Sequence, residues 1–250
     1  MKALRLAFLT IAVAGPALAA PPADRFREAN DLARAGDYPK AIGLYGDLAA
    51  SGEESASLYW NWAQAASARG AQGEALWALL RARELDPGDR AVVRDVERLR
   101  EALNLDPAEI APEPLAAAGR FSRRFRLDLV ALAFLALSLV AHGLVRVRPG
   151  LRPAGLAVWA ALALGLLAAA VPVAGSLARP TATVVRRGVP LLDAASPTAE
   201  PTGSLREGEV VPVLETSGAW LRVEDNAGAR GWAHVDDMRR LDAAPVPSRD

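Results

Sequence analysis

The sequence predicts a multi-domain fold: all-α helical hairpin repeats, then a two-helix transmembrane hairpin, then a small all-β barrel. Three observations carry this reading. A 34-residue offset relates two stretches of the first hundred residues. Two long apolar runs without formal charge occupy the middle. Beyond residue 180, short strand-like runs alternate with turn residues.

Composition sets the outer limits. Of 250 residues, 52% are hydrophobic but only 6% are aromatic, so the excess lies in Ala, Leu and Val, which suits membrane spans and Ala-rich helices. The 29 basic and 29 acidic residues cancel, so the global basic field of a nucleic-acid binder is missing and no nucleic-acid partner is expected. Without cysteine, thiol catalysis, Cys-based zinc sites and disulfides are excluded.

At the N-terminus, Lys2 and Arg5 precede an apolar run at residues 6–14, and Ala17-Leu18-Ala19 supplies the small-x-small pattern of a signal-peptidase site. Residues 1–19 are therefore read as a signal peptide that delivers the next segment outside the cytoplasm.

Residues 22–105 are helical in period. Gly36 and Gly70, and likewise Ala41 and Ala75, are offset by 34, a period that marks stacked helix–turn–helix units. The glycines sit at turns, where a missing Cβ relieves the backbone. The alanines sit where paired helices approach closely. Leu85-Asp86-Pro87-Gly88-Asp89 ends the second unit, with proline to stop one helix and aspartate to cap the next. Residues 91–103 then read as an amphipathic capping helix. Tyr59, Trp62, Ala66, Gly70, Ala75, Ala82 and Pro87 stand where tetratricopeptide (TPR) repeats place their packing residues, and residues 22–105 resemble that family. The resemblance implies a groove lined by the first helix of each repeat, with Phe26, Asn30, Arg34, Trp60, Gln64 and Ser67 facing a bound peptide. Trp60 lies off the stripe of Tyr59 and Trp62, so it is either a peptide anchor or packed on a local segment. Two repeats are fewer than the ~3 a stable stack usually needs, so the array is expected to lean on a partner.

Residues 106–128, with Pro107, Pro112 and Pro114, read as a linker. Residues 129–145 and 154–174 follow as transmembrane helices, since a span needs ~20 apolar residues. The basic turn at 146–153 lies between them. Arginines on both outer flanks argue for flanks inside the cell, whereas the signal peptide argues the reverse. The signal is given precedence, which places both folded domains in the periplasm at the bacterial inner membrane. In the second span, Ala161, Gly165 and Ala169 form a small-residue face that either seals the hairpin or recruits another membrane protein.

Five runs, 181–185, 189–192, 210–214, 220–223 and 231–235, read as strands of a small barrel over residues 181–241, with a disordered tail at 242–250. Val189-Pro190-Leu191-Leu192, the run from Leu205 to Leu214 and the Gly231-Trp232 pair resemble a bacterial Src-homology-3-type domain. Trp220 and Trp232 are expected in its core.

The histidines, His142 and His234, have no motif partner, and neither paired carboxylates nor a phosphate loop is evident, so no catalytic residue, metal or cofactor is assigned and an enzyme is not expected. The order signal, TPR repeats, two spans and barrel resembles the BatE family of the Bacteroides-aerotolerance system. That resemblance implies an adaptor in envelope-stress tolerance, with von Willebrand-domain membrane proteins and a MoxR-type ATPase system as partners. Two alternatives remain: a peptidoglycan-binding anchor acting through the barrel, and a client-holding assembly factor of the cytochrome-c-maturation type.

Overall fold

A computed structural model describes residues 22–105, 114–147 and 155–243. The signal peptide at 1–19, most of the basic turn and most of the tail lie outside the described residues.

The first five helices among the described residues are α1 (Pro22–Arg34), α2 (Tyr38–Ala50), α3 (Ala56–Ala68), α4 (Gln72–Leu85) and α5 (Arg90–Ala102). The 34-residue offset in sequence is an offset in structure: α1, α3 and α5 begin 34 residues apart, as do α2 and α4. Gly36 and Gly70 close the equivalent turns with the same left-handed backbone, φ +83° at each, a conformation that disfavours any Cβ. Ser55 caps α3 by accepting from Leu58 N at 3.1 Å, and Asp89 caps α5 by accepting from Ala91 N at 2.7 Å. Ala41 and Ala75 are fully buried between paired helices. Around them Tyr59, Trp62 and Trp77 form an aromatic cluster with ring centroids 5.1 to 5.9 Å apart.

The stretch expected to be a linker contains a helix, α6 (Pro114–Phe125). It forms because its small face finds a neighbour: Gly119 meets Gly175 so closely that a Cβ on Gly175 would lie 2.4 Å from the Gly119 Cα. α7 (Leu127–Val147) and α8 (Gly155–Ser176) follow, both long and apolar enough to cross a membrane. Only 11% of each apolar window is buried, with Leu139 and Leu156 among the outward side chains, so these are not core helices of a soluble domain. Gly165 of the small-residue face packs against Leu135 of α7, and Ser138 Oγ donates to Val158 O at 3.0 Å.

Among the described residues seven antiparallel strands follow: β1 (Thr181–Val184), β2 (Val189–Leu192), β3 (Pro201–Leu205), β4 (Val210–Ser217), β5 (Trp220–Glu224), β6 (Arg230–His234) and β7 (Met238–Arg240), in spatial order β3-β2-β6-β5-β4-β1-β7. Five strands were expected. β3 escapes a sequence reading because Pro-Thr-Gly-Ser-Leu has turn composition, and pairing with β2 overrides it. β7 is three residues long and is held by β1. Ala182, Val184, Leu191, Leu205, Val211, Leu221, Val223 and Ala233 point into a common core, as period-two alternation requires.

The sheet docks directly on the helices. Val185, Val210 and Leu241 pack against the helical core. Trp77 donates its indole N–H to Arg240 O at 2.9 Å, and Gly73 N donates to Glu207 Oε1 at 2.8 Å. Close approach demands glycine at Gly73, where a Cβ would lie 2.6 Å from Val184 O, while Gly208 is held at φ +82° beside the side-chain ends of Leu103 and Leu105. The short helical array thus rests on the β domain of its own chain.

Candidate functional site

The outer face of β5 and β6 is built by alternation. Leu221 and Val223 turn inward, which leaves Trp220, Arg222 and Glu224 outside; Gly231 and Ala233 turn inward, which leaves Arg230, Trp232 and His234 outside. Register sets Trp220 opposite His234 and Arg222 opposite Trp232. Trp220 meets the His234 ring edge-on at 5.1 Å. Both tryptophans are half-buried and lie outside the barrel core, which corrects the expectation that they fill it. The reason is volume: Leu191, Leu205, Leu221 and Met238 already occupy the interior. The turn joining the two strands is fixed by Asp225, whose Oδ1 accepts from Ala227 N at 2.9 Å and Ala229 N at 2.7 Å. His234 Nδ1 accepts from Asp236 N at 3.4 Å and so is turned toward the following 3-10 turn. The helical contacts at Val185, Glu207, Val210, Arg240 and Leu241 do not involve β5 or β6, and Arg222 and Arg230 of this face are exposed.

The six helical candidates separate into distinct environments. Asn30 Oδ1 accepts from Tyr45 Oη at 2.7 Å and from Asn61 Nδ2 at 2.9 Å, tying α1 to α2 and α3. Burial pushes the Tyr45 phenol up to about 12, so it stays a donor in that network. Phe26 meets Tyr45 with centroids 6.2 Å apart. Arg34 is exposed and pairs with Asp31. Ser67 Oγ bonds Gln72 Oε1 at 3.4 Å across the turn, and Gln64 is exposed. Trp60 is 37% exposed, and its indole N–H donates to Asp95 Oδ2 of α5 at 3.0 Å. Phe26 and Asn30 therefore sit where α1 meets Tyr45 of α2, whereas Trp60 ties α3 to α5.

A sequence reading missed the contact residues of the domain junction. Gly73, Trp77 and Glu207 carry no motif, and only the 134-residue separation closed by the Gly73–Glu207 bond reveals their role. Among the described residues, no group of three His, Cys, Asp or Glu stands where it would hold a metal ion.

A family model described as the bacterial SH3 domain matches residues 187–238, a stretch that contains the whole β5–β6 face. No curated protein matches the chain, and neither does any solved structure. Residues 187–238 are thus a bacterial SH3 domain, which points to a binding or cell-wall-associated role.

Proposed function

We propose that the protein is a non-enzymatic, membrane-anchored binding protein whose bacterial SH3 domain engages peptidoglycan through the β5–β6 face. The observation that carries this reading is the pair Trp220 and Trp232, held half-exposed outside the core on the outer face of β5 and β6. Aromatic planes flanked by Arg222 and His234 suit a ligand that alternates sugar rings with charged peptide. The apolar pair α7 and α8 anchors the domain at the membrane, with the folded units on the periplasmic side.

Retention of the full chain on isolated sacculi tests this reading. The W220A/W232A variant should lose about tenfold in retention, the loss of ~1.4 kcal/mol expected for removal of an aromatic anchor. Unchanged retention with an intact fold would sink the proposal.

A second reading has its own support. The 34-residue helix spacing supports TPR-type repeats, and the exposed, Asp95-tethered Trp60 supports a protein-binding groove. With Phe26, Asn30, Arg34, Gln64 and Ser67 it would hold a partner segment, in the manner of a BatE-like adaptor serving von Willebrand-domain proteins and a MoxR-type ATPase in aerotolerance. Under this reading Trp60→Ala weakens partner capture without loss of helicity; a drop in helicity would make Trp60 a packing residue instead.

A further inference from the structure

A cleft of about 810 Å³ opens where α4, α5, α6 and the end of α8 meet the β domain. Among the described residues, six arginines line it against three acids. The acids are already engaged: Glu54 by Arg81, Glu84 by Arg120 and Arg123, and Asp242 by Arg240. Arg83 of α4 and Arg100 of α5 make no ion pair among the described residues, and the Nε of each is buried without a hydrogen-bond partner. Among the described residues, the carboxylate acting on both through space is Glu97. Burial, with Arg100 and Arg120 beside it, pushes the Arg83 guanidinium down to about 10, and Arg100 is lowered for the same reasons. Leaving two such cations desolvated without partners is unfavourable unless something else supplies the negative charge.

Position indicates what does. Gly175, Ser176, Ala178 and Arg179 line the same cleft, and they form the last turn of α8 and the segment just past it. If α7 and α8 span the membrane, as proposed above, the cleft opens where headgroup phosphates lie. Among the described residues every cation lining it is arginine, whose planar fork matches phosphate oxygens in a bidentate way that lysine cannot. We propose that this cleft binds a phosphate group, presented by an anionic phospholipid headgroup, with Arg83 and Arg100 as its principal ligands.

The full chain, reconstituted in nanodiscs of phosphatidylcholine alone or mixed with phosphatidylglycerol, tests the site by thermal unfolding and by lipid retained in native mass spectrometry. Phosphatidylglycerol should raise Tm by about 5 °C. R83Q and R100Q should lose that rise while matching or exceeding the wild-type Tm in phosphatidylcholine, because each removes a half-buried charge whose Nε has no hydrogen-bond partner. A merely structural arginine would lower Tm in both lipids, which overturns the proposal. R179Q, at the rim after α8, gives a second variant with less packing at stake and should weaken retention. Inorganic phosphate added to the protein in detergent separates the sources: a rise with free phosphate but none with phosphatidylglycerol overturns the lipid assignment. Asp106, Glu109 and Glu113 join Leu105 to Pro114 outside the described residues, so a D106N/E109Q/E113Q chain is included. Lipid binding that emerges only in that variant assigns the arginines to these carboxylates and also overturns the proposal. If the chain fails to insert, the membrane reading falls, and the phosphate arm in detergent still decides the site.

Discussion

The pairs α1/α2 and α3/α4 share one frame, 34 residues apart, yet their second helices meet different surroundings. Position by position, α2 carries Asp37 at its cap where α4 has Ala71, Pro39 where α4 has Gly73, Gly43 where α4 has Trp77, and Asp47 where α4 has Arg81. α2 caps itself: Asp37 accepts from Lys40 N at 3.5 Å and pairs with Lys40 Nζ at 2.6 Å. α4 has no side-chain cap of its own, and Glu207 of the β domain accepts from its first turn instead. Gly43 faces open space, whereas Trp77 is wholly buried and bonded to β7. A repeat frame thus tolerates opposite chemistry at matching positions, and the neighbour beyond the repeat decides which is used.

The sharpest way to break this contrast is Trp77→Ala. It removes a buried indole and an interdomain hydrogen bond, and should destabilise by about 3–5 kcal/mol. Thermal unfolding of the full chain, with exchange protection of β1 and β7 as a local probe, checks it; a loss below ~1 kcal/mol would show that the domains do not hold each other. Next comes Glu207→Ala, which strips α4 of its borrowed cap and should cost about 1 kcal/mol, with Glu207→Gln losing less because an acceptor remains. The exposed Arg187 partner of Glu207 adds little to that figure. At the position matching Trp77, Gly43→Ala should stabilise by roughly 0.5–1 kcal/mol, since an exposed helix interior gains from alanine and nothing stands within 4 Å. The gentlest probe is acid. The Lys40 side-chain hydrogen bond holds the exposed Asp37 carboxyl below its usual range. A depressed folded value means its contribution is complete above the ordinary pKa of 3.8 and is lost as pH falls through the lower folded value. Exchange protection at residues 38–41 should fall in that window and be insensitive there in Asp37→Asn.

Much of the architecture was legible because it repeats locally. Gly36 and Gly70, Ala41 and Ala75, and the two apolar runs each announce a helix pair or a long apolar helix through short-range pattern. Leu221 and Val223 alternate with Trp220 and Arg222, which marks a strand, but alternation alone does not say which residues the core has room for. Trp220 and Trp232 were accordingly misplaced, since four other large side chains fill the interior. β3 and α6 were missed for the complementary reason: turn-like or proline-flanked composition is overridden when a partner strand or a glycine on α8 lies alongside.

By itself the sequence determined the helical period, the turns at the two repeat glycines, the length and apolarity of α7 and α8, and the bacterial SH3 character of the C-terminal stretch. Each depends on residues within a few positions of one another, where propensity and periodicity act. Only the tertiary structure decided that the β domain seats on α4, that Glu207 caps a helix begun 135 residues earlier, and that Arg83 and Arg100 face a cleft with its acids already taken. Those outcomes depend on close approach and on charge balance between distant segments, and no local pattern encodes either.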